Sequence, residues 1–171
     1  MVVVGLMNPK DAGNVGSVLR ALGCFAADSV FYTGSRYDCA AKHRTDTKKV
    51  GAQGDRLHKV ECLTLVRSRL PASARMVCVE LVVGATPLTE FVHPEHAFYV
   101  FGPEDGSLSA EVVQAADEVV YIPTVGCLNL AATVNVVLYD RLLKRGTAAG
   151  VALGDDLIVS SRDNRNRLVK R

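Results

Sequence analysis

The feature that most constrains the fold is a pair of apolar runs without polar alternation, "RMVCVELVV" (75–83) and "AFYVFG" (97–102). Strands of that kind persist where both faces are covered, which is the setting of a parallel sheet between helical layers. "MVVVGLM", "SVFYT" and "EVVYIP", the last stopped by Pro123, read as further strands. Helical segments alternate with them. Residues 14–26 put Val15, Val18, Leu19, Leu22 and Phe25 at helical spacing and leave Ser17 and Arg20 off the apolar stripe. "SAEVVQAA" reads as a short helix with Ser109 as its N-cap. From Leu128 to Arg145, residues Leu130, Val134, Val137, Leu138 and Leu142 share one face. The cations Arg141, Lys144 and Arg145 and the following Gly146 then signal the helix end. The alternation predicts an α/β domain with a mainly parallel sheet flanked by helices.

A chain of 171 residues with 49% hydrophobic content supplies one sizeable core and is short for two. The expected domain covers residues 1–147, and the Gly/Ala-rich "RGTAAGVALGDD" leads as a linker into a basic tail, the two together making up residues 148–171. "MVVVGLM" is expected to be a buried strand rather than a targeting segment, and no run approaches membrane-spanning length. Cys24, Cys39, Cys62, Cys78 and Cys127 are scattered without a CxxC pair, which argues against a disulfide framework or a zinc site and favours a cytoplasmic setting. His93 and His96 flank a proline in "HPEH" and read as a turn, not a metal site.

Net charge is only +2, yet it is unevenly spread. Residues 36–59, which read as a loop with a short helix, hold seven cations against three acids, and residues 162–171 hold five against one. Between Arg75 and Arg141 there are nine acids and no lysine or arginine. Two basic segments in one small domain suit a surface that meets phosphates. On that basis Arg36, Lys42, Arg44, Lys48, Lys49, Arg162, Arg165 and Arg167 are candidate phosphate contacts.

In doubly wound folds ligands sit at the carboxyl ends of the strands, so the strand-to-helix loops matter most. "NPKDAGNVGSVLR" fits neither a GxGxxG fingerprint nor a GxxxxGK[ST] phosphate loop, and "GAQGDRL" lacks the lysine and hydroxyl of the latter. "FGPEDGSLS" follows a strand with two glycines, a proline and adjacent acids, and in "IPTVGCLNLA" a helix begins at an asparagine. Together these segments resemble the SpoU/TrmH-like branch of the SPOUT superfamily of RNA methyltransferases. The resemblance rests on Asn14, Gly16 and Arg20, then Gly102, Pro103, Glu104, Leu108 and Ser109, then Cys127, Leu128 and Asn129, and spans residues 2–145. Two departures stand out: Cys127 replaces the family's usual serine, and the glycine usually placed just before the leucine is here Gly106, ahead of Ser107. With its first motif so near the start of the sequence, the chain is most similar to the short, single-domain members.

The resemblance implies a C-terminal deep trefoil knot whose loops, at residues 81–86, 102–106 and 122–130, bind S-adenosylmethionine in a bent form. Leu81, Gly84, Gly102, Ile122, Cys127, Leu128 and Leu130 are then the expected cofactor-binding residues. It further implies a homodimer with the last helix in its interface and an active site drawing on both chains. The implied reaction is 2′-O-methylation of ribose in structured RNA, with tRNA favoured over rRNA. Arg20 would hold a phosphate and stabilise the developing alkoxide, Asn14 would orient the arginine or the RNA, Glu104 would fix the loop by accepting hydrogen bonds, and Asn129 would bridge the third loop to the first. Plainer roles compete: Asn14 and Asn129 suit helix caps, Arg20 and Glu104 suit a solvated surface, and Cys127 suits packing. The alternative function is a knotted RNA-binding or assembly protein without catalysis. A nucleotide-dependent Rossmann enzyme is disfavoured by the missing fingerprint.

Overall fold

The computed structural model describes residues 1–42, 54–146 and 154–161. The elements run β1 (Val2–Leu6), α1 (Ala12–Cys24), β2 (Ser29–Tyr32), α2 (Arg36–Lys42), β3 (Leu57–Lys59), β4 (Arg75–Val79), β5 (Thr86–Pro87), β6 (Ala97–Phe101), α3 (Ala110–Ala115), β7 (Glu118–Tyr121), α4 (Leu130–Arg145) and α5 (Asp155–Ser161). A 3-10 helix at Thr64–Arg69 precedes β4. The strands form one sheet in the order β3-β2-β1-β6-β4-β7-β5, and every neighbouring pair is parallel.

The unalternating runs form the centre of this sheet because each residue has a covered face to point into. On β1, Val2, Val4 and Leu6 face one core and Val3 the other. On β4, Val77 and Val79 oppose Met76 and Cys78, and on β6, Ala97, Tyr99 and Phe101 oppose Phe98 and Val100. The first core is closed by Val15, Val18, Leu19 and Leu22 of α1 with Val134, Val137 and Leu138 of α4. The second is closed by Leu63 just before the 3-10 helix, by Val66 within it and by Val112 of α3.

Several expectations need correction. The run "RMVCVELVV" is strand only to Val79, and Leu81–Gly84 are exposed loop. The basic stretch contains α2, as expected of a short helix, but ends in the strand β3. Part of the supposed linker and tail is the helix α5. The helix expected over 14–26 is α1, Ala12–Cys24, displaced by two residues at each end, whereas α3 and α4 keep their expected caps. Ser109 caps α3 by accepting from Val112 N, and Gly146 ends α4 at φ 64°. After the edge strand β5, residues 88–96 run past the far end of α4 before the chain enters β6 in mid-sheet, while β7 lies between β4 and β5. That path is consistent with the knotted C-terminal half that the resemblance implies. Among the described residues no helix is long and apolar enough to cross a membrane.

Candidate active site

The loops leaving β4, β6 and β7 surround a cleft of about 480 Å³ at the carboxyl ends of those strands. This is where a doubly wound sheet exposes its strand ends, and the volume lies in the usual small-molecule range of about 300–1,000 Å³. Leu81, Ile122, Leu128 and Leu130 give it apolar walls, and Glu80, Gly102, Gly106, Cys127 and Thr133 also line it. At Gly102 a Cβ would lie 3.2 Å from Leu108 N, so a side chain there would press on the neighbouring turn and narrow the loop.

Asn14 in the first turn of α1 and Asn129 at the N-cap of α4 line this cleft together with Glu104 of the loop after β6. Asn129 Nδ2 donates to Asn14 Oδ1 at 3.4 Å, and Asn14 Nδ2 donates to Glu104 Oε1 at 2.9 Å. A carboxylate can only accept, so Glu104 dictates which end of the Asn14 amide faces it. Glu104 also accepts from Asp11 N at 3.1 Å and, through Oε2, from Lys10 N at 2.7 Å. Burial works to raise its pKa, but these three donors and Glu104's own N–H outweigh burial and hold the carboxyl below its ordinary value.

The helix-cap readings divide. Asp11, not Asn14, caps α1, accepting from the Gly13 and Asn14 N–H groups. Asn14 therefore stands in the first turn with its amide free for Glu104. Asn129 is a cap and a bridge at once: Oδ1 accepts from Ala132 N at 2.7 Å while Nδ2 reaches Asn14.

Of the expected cofactor residues, Leu81, Gly102, Ile122, Cys127, Leu128 and Leu130 line the cleft. Gly84 does not; it takes φ 88° in the loop beyond Leu81, a conformation that suits glycine. Arg20 is not brought to the Asn14–Glu104 pair. It stands exposed more than one turn farther along α1 and, among the described residues, forms neither ion pair nor hydrogen bond. Arg36 is ion-paired to Asp105, and Lys42 is exposed at the end of α2. Arg44, Lys48, Lys49, Arg162, Arg165 and Arg167 lie outside the described residues. No cluster of metal-ligating side chains occurs among the described residues.

Sequence reasoning missed Glu80. Its Oε1 accepts from Leu81 N at 2.9 Å and its Oε2 from Leu108 N at 2.8 Å, so one carboxylate clamps two walls of the cleft. The signal was an acid interrupting an apolar run, concealed by reading that run straight through.

The sequence matches the model of the SpoU rRNA methylase family over residues 1–139. No curated protein sequence matches it significantly. Among solved structures, the fold is similar to the A. aeolicus TrmH/SpoU tRNA modifying enzyme, with TM-score 0.72 and 18% identity over 94% of this chain and 84% of that one. A protein described in connection with 2-OH methylation of C/U34 on tRNA superposes with TM-score 0.68 at 23% identity, covering 85% of this chain and 96% of the other. The Streptomyces viridochromogenes SpoU methyltransferase AviRb, solved with AdoMet, gives TM-score 0.67 at 19% identity over 84% of this chain and 57% of that one. The match to the family model covers most of the sequence and includes all three loops that build the cleft, so the chain belongs to the SpoU rRNA methylase family.

Proposed function

We propose that this protein transfers a methyl group from S-adenosylmethionine to a ribose 2′-hydroxyl of structured RNA, and that the RNA is tRNA. The observation that carries the reading is the chain Asn129–Asn14–Glu104, which brings the N-cap of α4, the first turn of α1 and the loop after β6 together on the lip of one nucleoside-sized cleft. Two similar structures, one a tRNA modifying enzyme and one tied to 2-OH methylation of tRNA, support the choice of tRNA. The second of them is nearly spanned by this chain.

The cleft suits the cofactor. Leu81, Ile122, Leu128 and Leu130 would enclose the adenine, and the close-packed backbone at Gly102 and at 122–130 would supply polar contacts. When bound, the cofactor supplies an electrophilic methyl on a sulfonium. The ribose hydroxyl must give up its proton as it attacks, and because a guanidinium has no acceptor site, that proton passes to solvent water at the cleft mouth. Arg20 therefore holds the phosphate next to the acceptor ribose and stabilises the alkoxide as charge develops. Asn14, locked by Glu104 and Asn129, positions the acceptor at the cleft mouth.

Arg20 lies off the cleft of its own chain, and a homodimer would complete the site. Val136, Tyr139 and Leu143 form an exposed apolar stripe on α4, with Phe25 edge-on to Tyr139 at 6.5 Å. Such a stripe suits a second copy of the chain.

The test is transfer of labelled methyl from S-adenosylmethionine to total tRNA and to rRNA, followed by mass spectrometry of the digested nucleosides. A 2′-O-methylated nucleoside from tRNA is expected. Label in rRNA alone would overturn the choice of tRNA, and cofactor binding without transfer to either would favour a non-catalytic RNA-binding protein.

A further inference from the structure

Two cations from different parts of the chain converge on one oxygen atom beside the active-site loop. Arg36 Nη2, at the start of α2, lies 2.7 Å from Asp105 Oδ2, and Lys10 Nζ, from the β1–α1 loop, lies 3.4 Å from the same atom. All three side chains are open to solvent, at 31% for Arg36, 62% for Lys10 and 48% for Asp105. The shared carboxylate offsets the repulsion between the ammonium and the guanidinium that meet on it. An exposed ion pair contributes little to stability, so the fold itself gains little from the arrangement.

We propose that Lys10 and Arg36 form a seat for a backbone phosphate of the RNA substrate, kept assembled in the free protein by the Asp105 carboxylate, which the phosphate displaces. The proposal rests on the RNA-methylating reading above and adds to it where the RNA backbone is held. A carboxylate and a phosphodiester make the same demand on a guanidinium, two acceptor oxygens in a plane, so one can stand in for the other. The seat belongs to the same scaffold as the cleft. Lys10 N is fixed by Glu104 Oε2, and the other oxygen of Glu104 holds Asn14 on the cleft wall. Glu104 and Asp105 thus divide the work, the first locking the backbone of the loop and the second its two cationic head groups. Asp105 also makes entry selective. A lone mobile anion must compete with a carboxylate already in place, whereas an RNA anchored elsewhere presents its phosphate at high effective concentration.

The experiment measures binding of unfractionated tRNA to the full-length chain against salt concentration, in the wild type, in Asp105→Asn, in Lys10→Ala/Arg36→Ala, and in the triple variant. Asp105→Asn keeps the shape and removes the competing charge. It should tighten binding about tenfold at low salt and steepen the slope of log K against log salt by about 1 to 2. In the background lacking both cations the same Asp105→Asn change should do nothing. A wild-type chain that binds tRNA normally but is indifferent to Asp105→Asn overturns the seat and leaves the enzyme reading intact. So does a gain that persists without Lys10 and Arg36, because it would reflect only the general loss of a negative charge. A wild-type chain that binds cofactor but no tRNA, at any salt, defeats the tRNA reading and this proposal with it.

Discussion

Gly16 is costly where it stands. It lies inside α1, where glycine is less favourable than alanine by about 1 kcal/mol, and its backbone does not need glycine's left-handed freedom. Nothing lies within 4 Å of the point its Cβ would occupy. The bare patch is one helical turn before Arg20 on the same face, so it keeps the approach to that guanidinium clear for something outside the chain. Gly16→Ala should therefore raise the melting temperature, by up to about 1 kcal/mol of stability, and lower methyl transfer. Higher stability with unchanged activity would remove any approach along this face. Arg20→Ala should leave the fold and S-adenosylmethionine affinity unchanged, because Arg20 touches neither the core nor the cleft. Its kcat on the RNA substrate should fall by about 10²–10³, the usual loss on deleting one charge-stabilising donor. Activity that survives the change would take Arg20 out of the site.

At the scale of elements, the cleft depends on short loops held at their roots, and Glu80 is the root common to two of them. Glu80→Ala leaves the Leu81 and Leu108 N–H groups without their partner and frees the 81–84 loop from the 102–108 turn. Losing two hydrogen bonds to a charged group should weaken S-adenosylmethionine binding about tenfold or more by calorimetry, while Arg20→Ala does not. An unchanged affinity would show that the loops hold their shape without the clamp. The same residue shows where the sequence stops being legible. α1 and α4 follow from their apolar period, and β1 and β6 from unbroken apolar runs, because burial alone dictates those patterns. The end of β4 is not set by hydropathy, since Leu81, Val82 and Val83 are as apolar as the strand before them; it is set where Glu80 reaches Leu108 N, a contact made by the tertiary fold. β3 and β5 are too short for a pattern, and β5 contains Pro87, tolerated because it is an edge strand. Asn14, Glu104 and Asn129 were legible as motif residues through the family resemblance. Their hydrogen-bonded chain was not, because its links span 90 and 115 residues of sequence. Asp11 as the true cap of α1 was obscured by Asn14, which has the same chemistry three residues later.

Across the whole molecule, the far end of α4 is fastened to the segment before β6 by a polar network around buried His93. Its Nδ1 lies 2.6 Å from Tyr99 Oη and its Nε2 2.8 Å from Asp140 Oδ2, which also pairs with Lys144 at 2.8 Å. Arg141 donates to Pro94 O and Glu95 O, Lys144 to Leu88 O and Phe91 O, and Arg145 to His93 O. The sequence reading of "HPEH" as a mere turn therefore overlooked a buried anchor, since nothing local says that His93 faces inward and His96 pairs with the amino terminus. The neutral tautomer that donates from Nε2 to Asp140 and accepts at Nδ1 from Tyr99 satisfies every partner. Burial pushes the His93 pKa below its ordinary value, with Arg141 and Lys144 adding to that and the Asp140 hydrogen bond and charge opposing it. A histidine whose folded pKa lies below its unfolded one binds fewer protons in the native state, so stability rises with pH across that interval. Stability should thus be fully present above about pH 6.5, and fall as pH drops toward the folded value with a slope of at most about 1.4 kcal/mol per pH unit. The melting temperature of the wild type, followed from pH 7.5 to 5, should decline in this window. His93→Gln should start lower, having lost a ring that fills its site, and be flatter over the same range. If the variant declines as steeply as the wild type, the acid sensitivity arises elsewhere and His93 is a packing residue whose proton the fold does not feel.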